Sequence, residues 1–277
     1  MSKTTASFPA IQAVELDYSS NDSLANALRS LAFPPSKTAL AILINRDQPD
    51  PQIALLNAAA EVGLAHVLPS SFGAGQSENE YLRSFPPLQG KYQMEDHVAA
   101  LGAQGKLSYT CIQTGAFLDW ALDRGLYANL ISAEGPFGGK GATIVFDGGV
   151  VKYSATMLED IGKAAVAVLR DLATFRNRTI YMHSAVITQN QLLGYAKELA
   201  PDREFPTLNV DTAELEQAAK AKYEAGERGI EVMTMFMPRP TFGLGLGFFE
   251  AVANEELGIE VYDEGDVKAL VAGYLKR

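Results

Sequence analysis

Apolar and polar positions along this chain fall into blocks whose period changes, and the changes mark the elements. Residues 10–17 alternate apolar and polar, which predicts a strand. Helix N-cap candidates follow at Ser19 to Ser23, and Leu24, Ala27, Leu28 and Leu31 form a helical stripe. After a loop at Phe33 to Ser36, Thr38 to Ile44 is continuously apolar, as expected of a strand buried on both faces. A turn over 45–51 leads into a helix from Gln52 to Val62, with Ile53, Leu56 and Ala60 on one face and Gly63 at its C-cap. The short apolar run 64–68 then stops abruptly at Pro69-Ser70-Ser71-Phe72-Gly73. The first seventy residues thus read strand–helix–strand–helix–strand, the signature of a parallel α/β sheet with right-handed crossovers. In such sheets ligands bind beyond the carboxyl ends of the strands, where Asp17, Asn45 and residues 69–73 sit.

A helix over 88–104 carries Lys91 in its first turn, and Leu107 to Thr114 is a further strand. Gly115 to Trp120 opens a short helical segment. Residues 142–153 predict a β-hairpin turning at Asp147-Gly148. Thr156 and Glu159 form a capping box for a helix from Leu158 to Ala173. Arg178 to His183 predicts a strand, Thr188 caps a helix to Leu199, and Asp211 opens a helix ending near Gly226. A Gly-rich stretch at Phe242 to Phe248 and a helical C-terminal end complete the chain.

Composition narrows the function classes. The 277 residues, 47% hydrophobic and 20% charged, suit a globular protein of one large domain or one and a half. No apolar run approaches the roughly 20 residues that span a bilayer, and the N-terminus lacks the apolar core of a secretory signal. The single cysteine, Cys111, allows no disulfide framework and fits a reducing, cytoplasmic setting. A net charge of −10 argues against nucleic acid as a partner, because phosphate binding needs clustered Lys and Arg. His66, His97 and His183 lack metal-ligand spacing, so no metal is expected. The expected partner is a small molecule.

Five passages, in order, resemble the NmrA-like and isoflavone-reductase-like branch of the atypical short-chain dehydrogenases, most closely its fungal members. They are Val14 to Ser20, Gln52 to Ala59 with Gly63 and Val67 to Gly73, Lys91, then Leu107 to Phe117, and Lys152 to Gly162. The resemblance implies a Rossmann-like parallel sheet over 1–118, with a smaller mixed α/β substrate-binding region over 119–277, interleaved in one unit. It also implies that the chain starts at the family's third strand, so the sheet is N-terminally incomplete and lacks the Gly-rich loop that binds the dinucleotide pyrophosphate. Two internal substitutes read poorly as phosphate loops. Gly243-Leu244-Gly245-Leu246-Gly247 follows no predicted strand, and Gly135 to Lys140 lacks the Ser or Thr that a P-loop needs after its lysine.

By the same resemblance Lys91 is the active lysine, a general acid or base beside the nicotinamide ribose of NADP or NAD, with NADP favoured. The plain alternative is a solvated lysine at a helix start. Pro69, Ser70 and Phe72 line the nicotinamide side, though Phe72 could equally fill core; Asp17 and Tyr18 sit near the adenine, or are a helix-capping Asp and a surface Tyr; Asn45, at its strand end, also binds the cofactor. Phe117, Trp120 and Tyr153 could wall an aromatic substrate, or be ordinary core. The Tyr92 to Glu95 run is not the Tyr-x-x-x-Lys pair of standard short-chain dehydrogenases. Two functions follow: an NAD(P)-dependent oxidoreductase acting on a small aromatic or conjugated substrate, its dinucleotide binding impaired, or a non-catalytic NAD(P)-sensing or protein-binding regulator.

Overall fold

Alternation within the apolar runs decides the layering. A computed structural model describes residues 14–18, 20–31, 33–43, 49–73, 75–76, 78–130 and 141–277. Its first elements are α1 (Asn21–Arg29), β1 (Ala39–Ala41), α2 (Pro49–Val62), β2 (His66–Leu68), α3 (Glu80–Ser84), α4 (Gln89–Ala103) and β3 (Thr110–Gln113). Next come β4 (Ala116–Phe117), α5 (Leu118–Leu122), β5 (Thr143–Phe146), β6 (Tyr153–Thr156), α6 (Leu158–Arg170), α7 (Leu172–Phe175) and β7 (Arg178–Tyr181). The chain ends with β8 (Ala185–Ile187), α8 (Gln189–Leu199), β9 (Thr207–Val210), α9 (Thr212–Glu224), α10 (Ile230–Phe236), α11 (Asn254–Leu257) and α12 (Glu264–Leu275).

Parallel pairing runs β1–β2 and β3–β7, and a parallel bridge between Val67 and Tyr109 joins the two pairs into the order β1-β2-β3-β7. Successive side chains of a strand point to opposite faces. Val67 and Cys111 therefore pack with Leu24, Leu56, Met94 and Val98 of the helices on one side. Leu68, Ile112 and Ile180 pack with Ala164, Val168 and Leu257 on the other. Helices thus cover both faces of the parallel α/β sheet at β2 and β3, which are buried throughout. The run 38–44, expected to be buried on both faces, is not: β1 is paired only with β2 among the described residues, Ala39 and Ala41 are exposed, and Leu43 is 79% exposed.

At Gly115 the chain leaves this sheet. Gly115 has φ of 62°, and a Cβ there would lie 2.3 Å from the Ser154 carbonyl oxygen, so only glycine lets β4 lie this close to β6. β6 pairs parallel with β4 and antiparallel with β8. The Thr156 hydroxyl sits 2.5 Å from the Thr114 carbonyl oxygen, and Met182 N–H donates to Gln113 at 2.9 Å, tying the small sheet to the ends of β3 and β7.

Several expectations are corrected. Of the strand expected over 10–17, residues 10–13 lie outside the described residues, and Val14 to Asp17 have no regular secondary structure. Residues 142–153 are not a hairpin: β5 pairs with β9, parallel, and not with β6. Asp147, Gly148 and Gly149 take φ of 46°, 75° and 70°. Three left-handed residues in a row do not reverse the chain as the two of a type I′ turn do. The Asp147 carboxylate instead accepts from Thr212 N–H at the start of α9 (2.9 Å). Thr156 forms no capping box, because its hydroxyl is committed to Thr114. The first amides of α6 go to the Asp119 carboxylate (Leu158 N, 3.2 Å) and to Ser184 Oγ (Met157 N, 2.9 Å). Asp171 splits the helix expected to Ala173 by capping α7 through Thr174 N–H. Strands β4, β8 and β9 are additional to those read from the sequence; β4 takes Ala116 and Phe117 from the helical segment expected from Gly115, which begins at Leu118.

His66 lies fully buried in β2 between Ser108 Oγ (2.9 Å) and Thr110 Oγ1 (3.0 Å). Thr110 gives its one hydroxyl proton to the Phe175 carbonyl (2.7 Å), so toward His66 it can only accept. His66 therefore carries its proton on Nε2 and is neutral. Burial first, and the Arg176 charge second, push its pKa down to about 4. The unfolded chain takes up the proton near pH 6.5 and the folded one near 4, so between these values the unfolded state binds more protons. Stability should fall by about 3 kcal/mol as pH drops through that window. Urea unfolding at pH 7, 5.5 and 4.5 checks this; His66→Gln should flatten the slope, and an unchanged slope would count against the assignment.

Candidate functional site

The site is built where β2 and β3 end side by side. Ser70 N–H donates to Gln52 Oε1 of α2 (2.7 Å), fixing the first turn after β2. Gly73 N–H donates to Thr114 Oγ1 (2.9 Å), and Gly115 N–H returns to the Gly73 carbonyl (3.0 Å). This loop is therefore strapped to the end of β3. Further along, Gln76 Nε2 donates to the Phe248 carbonyl (3.1 Å), so the Gly-rich stretch lies against the loop.

Lys91 stands in the first turn of α4 and is 9% exposed. A cation at a helix N-terminus is unfavourable, and burial makes it more so. Both costs are offset locally. The ammonium is hydrogen-bonded to Glu95 Oε1, one helical turn on, and donates to Gln113 Oε1 at 2.8 Å. Gln113 Nε2 donates to the same Glu95 oxygen at 2.8 Å, closing a three-membered ring of side chains. Gln113 is wholly buried and Glu95 is 6% exposed. Cys111 lies on the same strand, its thiol pushed up to about 12 by burial and then by the Glu95 charge, so it is no nucleophile.

Gly75 completes the corner. Its φ is 153°, and a Cβ there would fall 3.1 Å from the Tyr92 hydroxyl, 3.3 Å from Lys91 Nζ and 3.6 Å from Gln113 Oε1. Over this corner sit α9 and α10, packing Ala219, Val232 and Phe236 on Leu82, Phe85, Leu88 and Tyr92. Phe85 and Phe236 meet edge to face at 5.4 Å. Tyr81 OH donates to Glu216 Oε1 (2.8 Å), pinning α3 to α9.

Of the residues singled out from the sequence, Pro69, Ser70, Phe72 and Lys91 are brought to these strand ends. Phe72 is half-buried and packs on the core of the far sheet face. Asp17 and Tyr18 lie exposed just before α1. Asn45 and Gly135 to Lys140 lie outside the described residues. The three aromatic candidates occupy different surroundings. Tyr153 is wholly buried among Tyr127 and Phe242, Trp120 is 41% exposed with the Arg124 guanidinium 4.2 Å above its ring, and Phe117 is half-buried in β4. Gln113 and Gly75 went unnoticed in the sequence, and Tyr92 and Glu95 stood out only as a run that is not a Tyr-x-x-x-Lys pair. The spacing of Glu95 from Lys91, i to i+4, was the available signal for that carboxylate; for Gln113 the signal was a polar residue in an apolar strand.

Residues 69–73 and Lys91, gathered at the strand ends, are those that would hold the nicotinamide end of a dinucleotide. In the Gly-rich stretch 243–247 the Leu244 and Leu246 amides donate to the Arg239 and Pro240 carbonyls, and the Leu246 and Phe248 carbonyls face Gln76. Among the described residues no group of His, Cys, Asp and Glu could hold a metal ion, and no helix is long and apolar enough to cross a membrane.

Known proteins place the architecture. The chain is 26% identical over 180 residues to the oxidoreductase poxI of Penicillium oxalicum, a match covering 64% of this chain and 55% of the relative. The chain thus spans about half the length of the curated relatives it matches. Among solved structures it is similar to isoflavone reductase (14% identity, TM-score 0.66, covering 93% of this chain and 80% of that one). It is also similar to leucoanthocyanidin reductase of Vitis vinifera in a ternary complex (15%, 0.65, 94% and 84%). A third is the NADPH-dependent quinone oxidoreductase QOR2 of Escherichia coli complexed with NADPH (14%, 0.64, 93% and 82%). These likenesses show the fold of NAD(P)-binding reductases. The model of the NmrA-like family matches residues 5–199, and the chain belongs to that family.

Proposed function

We propose that this protein is an NAD(P)-dependent oxidoreductase that reduces a small aromatic or conjugated carbonyl compound, with Lys91 as its acid–base group. The observation that carries the reading is the buried Lys91 ammonium at the carboxyl ends of adjacent parallel strands, held by Glu95 and Gln113. Ligands of open α/β sheets lie at such ends. A reduced dinucleotide supplies hydride when bound. The chain's own part is to bind, orient and protonate. Pro69, Ser70 and Phe72 would flank the nicotinamide side, Asp17 and Tyr18 the adenine side, and Asn45 would bind the cofactor at its strand end. Phe117 is the best placed of the aromatic candidates for a substrate wall. Lys91 Nζ would hold the substrate oxygen and give it a proton, while the lid of α9 and α10 keeps water away. NADP is the favoured cofactor, since the solved relatives include pinoresinol, leucoanthocyanidin and quinone reductases with NADP+ or NADPH. The Leu244 and Leu246 amides, already bonded to Arg239 and Pro240, support weak dinucleotide binding. The buried Cys111 suits a reducing, cytoplasmic setting.

The closed ring around Lys91 also favours a second reading. A lysine already satisfied by Glu95 and Gln113 suits a regulator that senses NAD(P) without turning it over. Titration with NADPH followed by fluorescence, then turnover over a panel of enones and aromatic carbonyls, separates the two. Saturable binding with turnover is expected, and Lys91→Met should reduce turnover by about 100-fold or more with the fold intact. Full turnover in that variant would remove Lys91 from the mechanism, and saturation without turnover would favour the regulator. The reading also needs the ammonium to stay charged and buried. Glu95→Leu should therefore cost about 3–5 kcal/mol in urea unfolding, and most of that should return in the Lys91→Met/Glu95→Leu double variant. A harmless Glu95→Leu would mean that the pair is open to water.

A further inference from the structure

We propose that the outer face of α6 is the contact between two copies of this chain, packed antiparallel across a two-fold axis at Val166. The inference is independent of the reading of Lys91.

The inner face of α6 is fully used. Ala164 and Val168 are wholly buried and pack with Ile112 and Ile180 of the main sheet. A helix laid on a sheet normally turns polar residues outward. Leu158, Val166 and Leu169 instead are 45%, 46% and 42% exposed. Together with Gly162 they are spaced four, four and three apart, which places them on one stripe along most of the helix. Single exposed apolar residues are ordinary, but a contiguous strip marks a contact surface. Beside the strip, Lys163, Val166, Ala167 and Arg170 form one wall of an open groove of about 350 Å³, and Leu257 and Gly258 form the other.

Gly162 indicates that another helix covers the strip. It stands in the interior of α6, where glycine is destabilising relative to alanine. Among the described residues nothing requires it, because a Cβ there would meet no atom within 4 Å. A notch of this kind on an exposed stripe lets a second helix approach closely.

Charge selects a second copy as that helix. The Arg170 guanidinium is exposed, and among the described residues it has no hydrogen bond or ion pair. Glu159 lies on the same flank, 79% exposed and bonded to Lys163 at 3.0 Å. In a two-fold dimer the same surface meets itself. With the axis at Val166 and the helices antiparallel, Arg170 of one copy crosses the notch at Gly162 of the other and reaches Glu159 one helical turn further on. Symmetry makes the contact twice. A parallel pair would set like charges against each other. The net charge of −10 makes two copies repel, so local pairing of opposite charges also fixes where they meet. One helix face is at the small end of specific interfaces, so a dimer that dissociates in the micromolar range is expected.

Sedimentation velocity of the 277-residue chain over about 1–200 μM tests this. Wild type should pass from monomer to dimer across that range. Val166→Glu, an exposed position, should stay monomeric with an unchanged melting temperature in dilute solution. Arg170→Glu and Glu159→Arg should each weaken the dimer at least about tenfold, since each repulsion occurs twice, and the double variant should recover it. Gly162→Gln should melt higher in dilute solution, because glycine has left a helix interior, yet dissociate the dimer. A glycine of no contact would show the first effect alone. Wild type that stays monomeric at every concentration overturns the proposal. So does a dimer that survives Val166→Glu and Gly162→Gln, which would lie on another surface. Failure of the double charge variant to recover overturns the antiparallel pairing.

Discussion

A charge taken out of water must be matched where it stands. Lys91 is such a charge, and much of the local architecture follows from holding it. Glu95 lies one helical turn away, so α4 carries its own counter-ion. Gln113 comes from β3 and bonds both partners, so helix and strand are fixed in register by a polar contact that cannot slip without stranding a buried group. The loop after β2 must then pass over the ammonium without a side chain, which is the place of Gly75. The lid of α9 and α10 keeps the surroundings dry, which strengthens every electrostatic contact beneath it. Elsewhere in the sheet apolar packing dominates, joined by the directed contacts of His66 with Ser108 and Thr110.

The N-terminal half was largely legible as sequence. Helical stripes in α1 and α2, the left-handed Gly63 after α2 and the stop at Pro69 are local signals, and local signals survive folding. The C-terminal half was less so. β9 is only four residues long and nearly all exposed, so the alternation of Leu208 and Val210 is too short to mark a strand. β8 follows β7 after a break at Met182 to Ser184 that periodicity does not mark. The Asp147-Gly148 pair does signal a turn, but nothing local says that Gly149 is left-handed too, nor that the Asp147 carboxylate is needed at α9. The same holds for Thr156, whose spacing to Glu159 suits a cap while its hydroxyl serves Thr114.

The site divides in the same way. Lys91 and the loop 69–73 stood out through family resemblance and through their position at strand ends. Glu95 was one helical turn from Lys91 and could have been paired with it. Gly75 and Tyr92 could not, because they meet only in space, from a loop and a helix seventeen residues apart. Among the aromatic residues, sequence has no means of separating Tyr153, sealed in a ring cluster, from Trp120, lying on the surface beneath Arg124.

The order of strands in the main sheet has a consequence for how the chain comes into being. β3 has β2 on one side and β7 on the other, and β7 begins at Arg178, long after β3 ends. During synthesis the ribosome must deliver everything through β7 before β3 gains its second neighbour. Until then the face of Leu68 and Ile112 lacks Ala164, Val168 and Ile180, and stays wet. The first strands therefore wait, half-covered, for a partner supplied by the far half of the molecule. Pairing at so long a sequence separation makes folding slow by its topology alone.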